Sequence, residues 1–285
     1  MATGLLPLTA AAGMDLVRPI VTETKPAAFY LRQGDDAFVP TPATVGPWDP
    51  ALQHGGPPAA LLGRAIESLG GRSDVRVSHF SLDFLSALPL APMTVRAEVE
   101  RPGKRIELAT ATALIGGRPV LRAAAWRLAI GADRSPSVGL EDAPPPMPER
   151  ESRDFFEGVQ TFGYGESLEW RFASGGFRVR GPATVWSRMR IPLVPGEAPS
   201  PLVRLLAMVD SANGVSWEVD FSTHMFVPVN LTVSITRSPQ GEWVGMHAFT
   251  ALAGDGVGTT RARLFDTRGN VGEALQTLFV ARREP

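Results

Sequence analysis

SPLVRLLAMVDSANG, residues Ser200–Gly214, has the pattern of one helix with a proline in its first turn and a glycine at its end. PPAALLGRAIESLG, residues Pro57–Gly70, has the same pattern. Short strand-like runs precede each helix, and three or four long runs of alternating apolar and polar residues follow it. One order of elements therefore occurs twice, about 145 to 150 residues apart, which indicates an internal duplication rather than a short-period repeat.

A single helix covers only one face of four or five antiparallel strands, so we expect each sheet to wrap around its helix. The sequence thus predicts an α+β fold of two antiparallel sheets, each wrapped around one central helix, with the halves paired through their sheets. The proline-rich stretch SPSVGLEDAPPPMPERE predicts an extended linker between them. The predicted segments are a leader at 1–26, a first domain at 27–131, a linker at 132–153 and a second domain at 154–285.

The composition excludes several classes of function. The 285 residues include 28 lysines and arginines against 29 aspartates and glutamates, so bulk charge does not favour nucleic acid or an anionic membrane surface. The chain has no cysteine, which rules out disulfides, a thiolate metal site and a cysteine nucleophile. Its four histidines form no short ligand pair, so we expect no metal and no cofactor.

Signatures of membrane insertion, secretion and other enzyme classes are also missing. No apolar run is long enough for a transmembrane helix, and no basic residue precedes the apolar patch near the N-terminus, which predicts a soluble cytoplasmic protein. The sequence has no GxSxG elbow, so a serine-triad hydrolase is disfavoured. It also has no GxGxxG or Walker sequence, so roles with dinucleotides or nucleoside triphosphates lack support.

Asp210 is the strongest candidate for a catalytic group. It shares one stripe of the second helix with Leu202, Leu206 and Val209, and that stripe is the apolar one. Burial and the negative end of the helix dipole both disfavour the charged form, which raises the pKa of a carboxyl group as a general base requires. The alternative is a frayed helix end at which Asp210 faces solvent.

Gln276 is the second candidate. In the last strand-like run its side chain shares a face with Ala274, Leu278 and Val280, so an uncharged amide lies in an apolar row. A buried amide without partners costs about 1–3 kcal/mol. Orienting a water molecule would satisfy this amide, and so would hydrogen bonds to neighbouring backbone.

Gly55 and Gly56 introduce the first helix in the stretch QHGGPP. Glycine lets backbone N–H groups approach a ligand at the positive end of a helix, where a developing oxyanion would be stabilised. Both glycines are therefore candidate substrate-binding residues. The alternative is a purely structural role, because glycine is common at the start of helices.

The order of elements resembles the double hotdog fold of the acyl-CoA thioesterase family over nearly the whole chain after residue 27. The resemblance is most specific in LLAMVDSANGVSW, in HGGPPAALL and in the C-terminal stretch 230–282. Type II members of that family position a hydrolytic water with an aspartate, a glutamine and a hydroxyl residue. The resemblance assigns the first two roles to Asp210 and Gln276. The hydroxyl position falls at or next to Pro228, which is a departure from the family. Asn230 and Thr232 lie on the same strand parity as that position and are the candidate substitutes.

The resemblance implies a hydrolase that cleaves acyl-CoA, or another acyl thioester, by attack of water and without a cofactor. One alternative is a duplicated hotdog protein that binds acyl thioesters without turning them over. A second is an enoyl-CoA hydratase, which is disfavoured because His54 has no aspartate near it in sequence except Asp49. Unpaired sheet edges and the habits of the fold favour a homodimer or a larger homo-oligomer.

We expect one competent site per chain, in the second half. Aligning the two last strands places Ala124 opposite Gln276, and aligning the helices places Glu67 opposite Asp210. The first half thus retains an acid but lacks the amide. A slip of one residue in the helix alignment places Ile66 opposite Asp210 instead.

Overall fold

The computed structural model of the protein describes residues 26–132, 134–140, 143–159 and 161–283. The predicted leader, apart from Pro26, lies outside these residues. Among the described helices none is long and apolar enough to cross a membrane. The helices are α1 (Gly56–Glu67), α2 (Gly163–Ser167), α3 (Pro201–Val209) and α4 (Ala212–Val215). The strands are β1 (Tyr30–Arg32), β2 (Ala37–Pro40), β3 (Val75–Phe84), β4 (Met93–Arg101), β5 (Ile106–Ile115), β6 (Arg118–Ala129), β7 (Leu168–Gly176), β8 (Val179–Met189), β9 (His224–Ile235), β10 (Val244–Leu252), β11 (Val257–Asp266) and β12 (Gly269–Arg282).

The strands of the described residues join into one 12-stranded antiparallel sheet. The first half contributes the order β1-β2-β4-β5-β6-β3. The second half, followed inward from its own edge, contributes β7-β8-β10-β11-β12-β9, which is the same arrangement. Strands β3 and β9 pair at the centre and connect the two halves. The predicted α+β double hotdog, with two sheets that pair with each other, is confirmed.

Helices α1 and α3 pack against each other on the inner face of this sheet. Their apolar stripes are fully buried, as Leu61 and Leu62 of α1 and Leu205 and Leu206 of α3 illustrate. Gly63 allows the close approach, because a Cβ atom there would lie 2.4 Å from Leu206 Cδ1. The burial of both stripes against one sheet explains why each half needs only one long helix.

The helix predicted in the second half is broken in two at Asp210. In an unbroken helix the N–H of Ser211 would donate to the carbonyl of Ala207. Instead the Tyr164 hydroxyl donates to that carbonyl at 2.8 Å, and the N–H of Ser211 donates to Met208 at 2.9 Å. Tyr164 of the short helix α2 therefore bonds to the carbonyl group at the end of α3, and the chain turns before α4 begins. Sequence periodicity could not predict this break, because its cause is a tertiary hydrogen bond.

The two halves of the sheet part at one end of their central pair. Strands β3 and β9 pair only where His79–Asp83 face Asn230–Ser234. Strand β9 nevertheless continues to pair with β12 as far as His224. A gap therefore opens between the end of β3 and the first residues of β9.

Candidate active site

A cavity of about 390 Å³ lies in this gap, and the residues described around it include no lysine or arginine. Asp210 and His54 contribute to its wall, so an ionisable pair lies beside apolar surface. Apolar side chains from both halves form most of the rest: Trp48, Leu52, Phe84, Ala87, Leu88, Met225, Val227, Pro228, Val229 and Phe279. The cavity thus combines the hydrophobic lining and few polar groups that are typical of a small-molecule site.

The Asp210 carboxyl group lies at the C-terminal end of α3 and is 5% exposed. Its Oδ1 accepts a hydrogen bond from Gln276 Nε2 at 3.2 Å. Its Oδ2 lies 3.3 Å from His54 Nδ1, and the backbone N–H of Gly55 is directed at the carboxylate. The side chain is therefore held by groups from α1, α3 and β12. The solvent-facing alternative for Asp210 is wrong.

Burial raises the pKa of Asp210 from its ordinary value of 3.8 to about 7. The hydrogen bonds from Gln276 and the N–H of Gly55 act in the opposite direction, because they favour the charged form. A carboxyl group with a pKa near neutrality is half ionised at neutral pH and accepts a proton readily. The arrangement therefore suits a general base.

Gln276 is fully buried and spans the break between α3 and α4. Its Nε2 donates to the carboxylate and to the backbone carbonyl of Asp210, both at 3.2 Å. Its Oε1 accepts from the backbone N–H of Asn213 at 3.2 Å. The amide thus fixes both the Asp210 side chain and the backbone around it. Acid and amide are in contact, but only Asp210 is among the residues that line the cavity.

His54 is the group at this site whose role the sequence did not reveal. Its ring stacks on Tyr164, with centroids 3.7 Å apart and planes within 8°. Burial lowers the pKa of His54 to about 3, so the ring is neutral and its contact with Asp210 is not an ion pair at neutral pH. In sequence His54 has only Asp49 nearby, but packing of α1 against α3 brings Asp210 to it from the other half.

Gly55 and Gly56 are both required by close contacts. A Cβ atom on Gly55 would lie 2.6 Å from Asp210 Oδ2, and one on Gly56 would lie 2.3 Å from the carbonyl oxygen of Ala207. Their N–H groups are already engaged, since that of Gly55 faces Asp210 and that of Gly56 donates to His54 Nδ1 at 3.0 Å. Prolines at the next two positions have no N–H. The start of α1 therefore does not offer the free donors that an oxyanion site at the glycines would need.

The structure does not bring Asn230 and Thr232 to this site. The pairing shifts in register, with Asn230 opposite Thr277 but Pro228 opposite Leu278, so Val229 is an extra residue in a bulge. The shift reverses side-chain parity between Pro228 and Asn230. The assumption of shared parity is therefore wrong, and both candidates lie on the outer face of the sheet. Asn230 Oδ1 instead accepts from the backbone N–H of Thr277 at 2.9 Å.

The opposite end of the helix pair is the topological counterpart of this site. There Glu67, near the end of α1, accepts a hydrogen bond from Ser200, which caps α3. Arg64 and Glu197 form a two-pronged ion pair beside it. The pairing of β6 with its neighbours places Ala124 on the strand that corresponds to β12. This end therefore contains an acid, as aligned, but has a salt bridge in place of an amide and a histidine.

The buried carboxyl group of Asp210 lies where the two halves of the chain meet. The model for the acyl-CoA thioesterase N-terminal domain matches residues 44–128, and the model for the C-terminal domain matches residues 141–280. The chain belongs to the acyl-CoA thioesterase family. A comparison with curated proteins finds none that matches this sequence.

Solved structures share the fold. A Thermobifida fusca YX protein described as a thioesterase II is 18% identical, with 90% of this chain and 96% of that chain covered and a TM-score of 0.67. A hot dog fold protein of Alicyclobacillus acidocaldarius is 17% identical, with 91% and 97% covered and a TM-score of 0.66. The acyl-CoA thioesterase II TesB2 of Mycobacterium marinum is 16% identical, with 85% and 95% covered and a TM-score of 0.57. At these identities the similarity shows the fold.

Proposed function

We propose that the protein hydrolyses acyl-CoA thioesters by direct attack of water, with Asp210 as the general base. The observation that carries this proposal is a buried carboxyl group with a pKa raised to about 7 at the wall of an apolar cavity. Membership of the acyl-CoA thioesterase family supports the thioester as the substrate class. No cofactor is required, because a thioester is already an activated acyl group.

Gln276 positions the base in this mechanism. Its amide nitrogen donates to Asp210 and its oxygen is fixed by Asn213, so the carboxylate is held in one orientation. An ionised Asp210 would take a proton from water as the water oxygen attacks the carbonyl carbon. That Gln276 also touches the attacking water stays a prediction.

The reaction is tested by release of free thiol from a panel of acyl-CoAs. Because the chain contains no cysteine, a thiol reagent reports coenzyme A without background from the protein. Release by the wild-type protein supports hydrolysis. No turnover by wild type, with Asp210→Asn indistinguishable from it, would favour a binding protein without activity. Crotonyl-CoA that loses its conjugated absorbance but keeps its thioester would favour a hydratase.

The pH dependence of hydrolysis should follow the ionisation of Asp210. Since only the charged carboxylate accepts a proton, we expect kcat/KM to rise with pH, with a midpoint at about 7. Below the midpoint the rate should fall about tenfold per pH unit. Rates measured from pH 5 to 9 at constant ionic strength check this, and a flat profile or one that falls with rising pH would contradict the assignment of the base.

The apolar cavity is the proposed site for the acyl group. The described residues of its lining offer no cation to the phosphates of coenzyme A, and Asp49 adds a negative charge. The nucleotide is therefore expected to remain outside. Trp48 separates this cavity from a second chamber of about 30 Å³. Its ring stacks on Phe221 at 4.3 Å and meets Phe226 edge-on at 4.9 Å. Trp48 therefore limits the space available to an acyl chain.

We expect Trp48→Ala to shift the preference toward longer or bulkier acyl groups. Each additional buried methylene is worth about 0.8 kcal/mol, or about fourfold in kcat/KM. Thiol release measured over a series of chain lengths checks the shift. Trp243→Ala is the matched control, because Trp243 packs against Arg171 and Arg188 and does not line either space. An unchanged profile in Trp48→Ala would place the acyl group elsewhere.

The remaining expectations are part of the same proposal. The division at 27–131 and 154–285 stays a prediction, because the C-terminal family model begins at residue 141, inside the predicted linker. A homodimer or larger assembly is supported by β1 and β7, which end the described sheet without a further partner. A cytoplasmic location and a place in fatty acid metabolism stay predictions.

A further inference from the structure

The imidazole of His54 is fixed in both orientation and tautomer. The N–H of Gly56 donates to Nδ1 at 3.0 Å, which favours Nδ1 as the unprotonated nitrogen although Asp210 Oδ2 lies 3.3 Å from the same atom. The neutral ring therefore carries its proton on Nε2. Stacking on Tyr164 prevents the ring from rotating away. Tyr164 is itself held by its hydroxyl, which bonds to Ala207 and to Ser211.

Among the described residues, none accepts a hydrogen bond from Nε2–H of His54. The hydrogen bond from Gly56, the stack on Tyr164 and the contact with Asp210 account for the polar and ring contacts of this side chain. The His54 side chain is 13% exposed and lines the cavity wall. Its Nε2 is not among the fully buried atoms that lack a hydrogen-bond partner. His54 borders both the cavity and the smaller chamber, so its remaining donor is available to a ligand in this space.

We propose that His54 is a catalytic residue that donates a hydrogen bond from Nε2 to the carbonyl oxygen of the thioester. The inference rests on the proposed hydrolysis and deepens it. It also answers which group stabilises the oxyanion, since the N–H groups of Gly55 and Gly56 are already engaged. An oriented N–H donor in a site of low polarity is the kind of group that stabilises such a charge.

The step balances as follows in this geometry. Water gives a proton to the Asp210 carboxylate, its oxygen bonds to the carbonyl carbon, and the carbonyl electrons move to the oxygen that Nε2–H holds. When the carbonyl re-forms, the carbon–sulfur bond breaks and the leaving thiolate takes the proton from Asp210. His54 keeps its proton throughout. Burial lowers the pKa of His54 to about 3, so the same neutral donor is present wherever Asp210 is ionised.

The test compares His54→Phe with His54→Gln. Phenylalanine retains a ring to stack on Tyr164 but has no N–H, whereas the amide of glutamine reaches about as far as Nε2 and restores a donor. We expect His54→Phe to lower kcat by about 10²- to 10³-fold with little change in KM. We expect His54→Gln to recover part of the loss. The pH midpoint should remain near that of wild type, because the base is unchanged.

Two further results separate this role from a structural one. A coenzyme A ketone in which a methylene replaces the sulfur cannot be cleaved. A hydrogen bond from Nε2–H should lower the stretching frequency of its labelled carbonyl on wild type but not on His54→Phe. Thermal unfolding shows whether each variant is folded. If His54→Phe does not fold, the activity of His54→Gln and the carbonyl spectrum of the ketone on wild type test the role of His54 instead. An activity of His54→Phe within about threefold of wild type would overturn the role of His54 but not the proposed hydrolysis. A fall in rate with a displaced pH midpoint and no carbonyl shift would do the same. A wild-type protein that releases no thiol would overturn the proposed function as well.

Discussion

Asp210→Asn is expected to abolish most of the thiol release while it makes the fold more stable above neutral pH. Loss of a general base costs about 10²- to 10⁴-fold in rate. The asparagine side chain has nearly the same shape, and Gln276 can still donate to its oxygen. The binding of an uncleavable acyl-CoA analogue should therefore change far less than kcat.

The gain in stability follows from the raised pKa. The carboxyl group ionises near 3.8 when the chain is unfolded but only at about 7 when it is folded. Between these values the folded state holds the proton more tightly, so the free energy of unfolding falls as pH rises through this window. About three pKa units correspond to roughly 4 kcal/mol, present as a cost above pH 7.

Asparagine carries no charge, so it removes that cost. Part of the gain is lost because one side of the new amide faces the N–H of Gly55, a mismatch worth about 1 kcal/mol. We expect a net gain of about 1–3 kcal/mol at pH 8 that disappears by about pH 4. Denaturant unfolding of both proteins at pH 4, 6 and 8 measures it. A variant that is less stable than wild type at pH 8, or a difference independent of pH, would show that Asp210 is not buried in its charged form.

Gly56→Ala is expected to have the largest effect on stability. The new Cβ atom would lie 2.3 Å from the carbonyl oxygen of Ala207, which is a backbone atom and cannot rotate away. Overpacking of this kind costs about 1–3 kcal/mol or more. Activity should fall as well, by up to about 10²-fold, because separating α1 from α3 moves His54 away from Asp210.

Gly214→Ala is the matched control for Gly56→Ala. Gly214 lies in α4, and a Cβ atom there would meet nothing closer than Phe156 at 3.5 Å. Alanine is favoured over glycine inside a helix, so this variant should be as stable as wild type or slightly more so. Midpoints of thermal and denaturant unfolding compare the two variants. Equal stability of both would mean that the contact between α1 and α3 is looser than the structure has it.

The sequence carries enough information for the fold and for half of the site. Binary patterning predicted the two helices, the strand meanders and the pairing of the halves. The same patterning placed Asp210 on an apolar stripe of a helix and Gln276 in an apolar row of a strand. A side chain on such a face is buried when another element packs against that face. These inferences depend on local periodicity, which a single sequence records directly.

The rest of the site depends on contacts between distant segments. Asp210 is far from His54 in sequence, and only the packing of one helix on the other brings the two together. The bulge at Val229 cannot be read from alternation, because one extra residue reverses the parity on which the choice of Asn230 and Thr232 depended. The glycine N–H groups were assigned to a ligand because the sequence does not show that protein atoms already use them.

The strand order of the first half repeats in the second, yet the salt bridge of Arg64 with Glu197 occupies the end that mirrors Asp210. We therefore expect one reacting centre per polypeptide, although the framework occurs twice. Its saturation curve is expected to be hyperbolic unless separate polypeptides communicate. At the end without the proposed base, the ion pair of Arg64 with Glu197 and the hydrogen bond of Ser200 with Glu67 hold the helices together. The stability that they supply offsets the cost of the buried Asp210 charge at the other end.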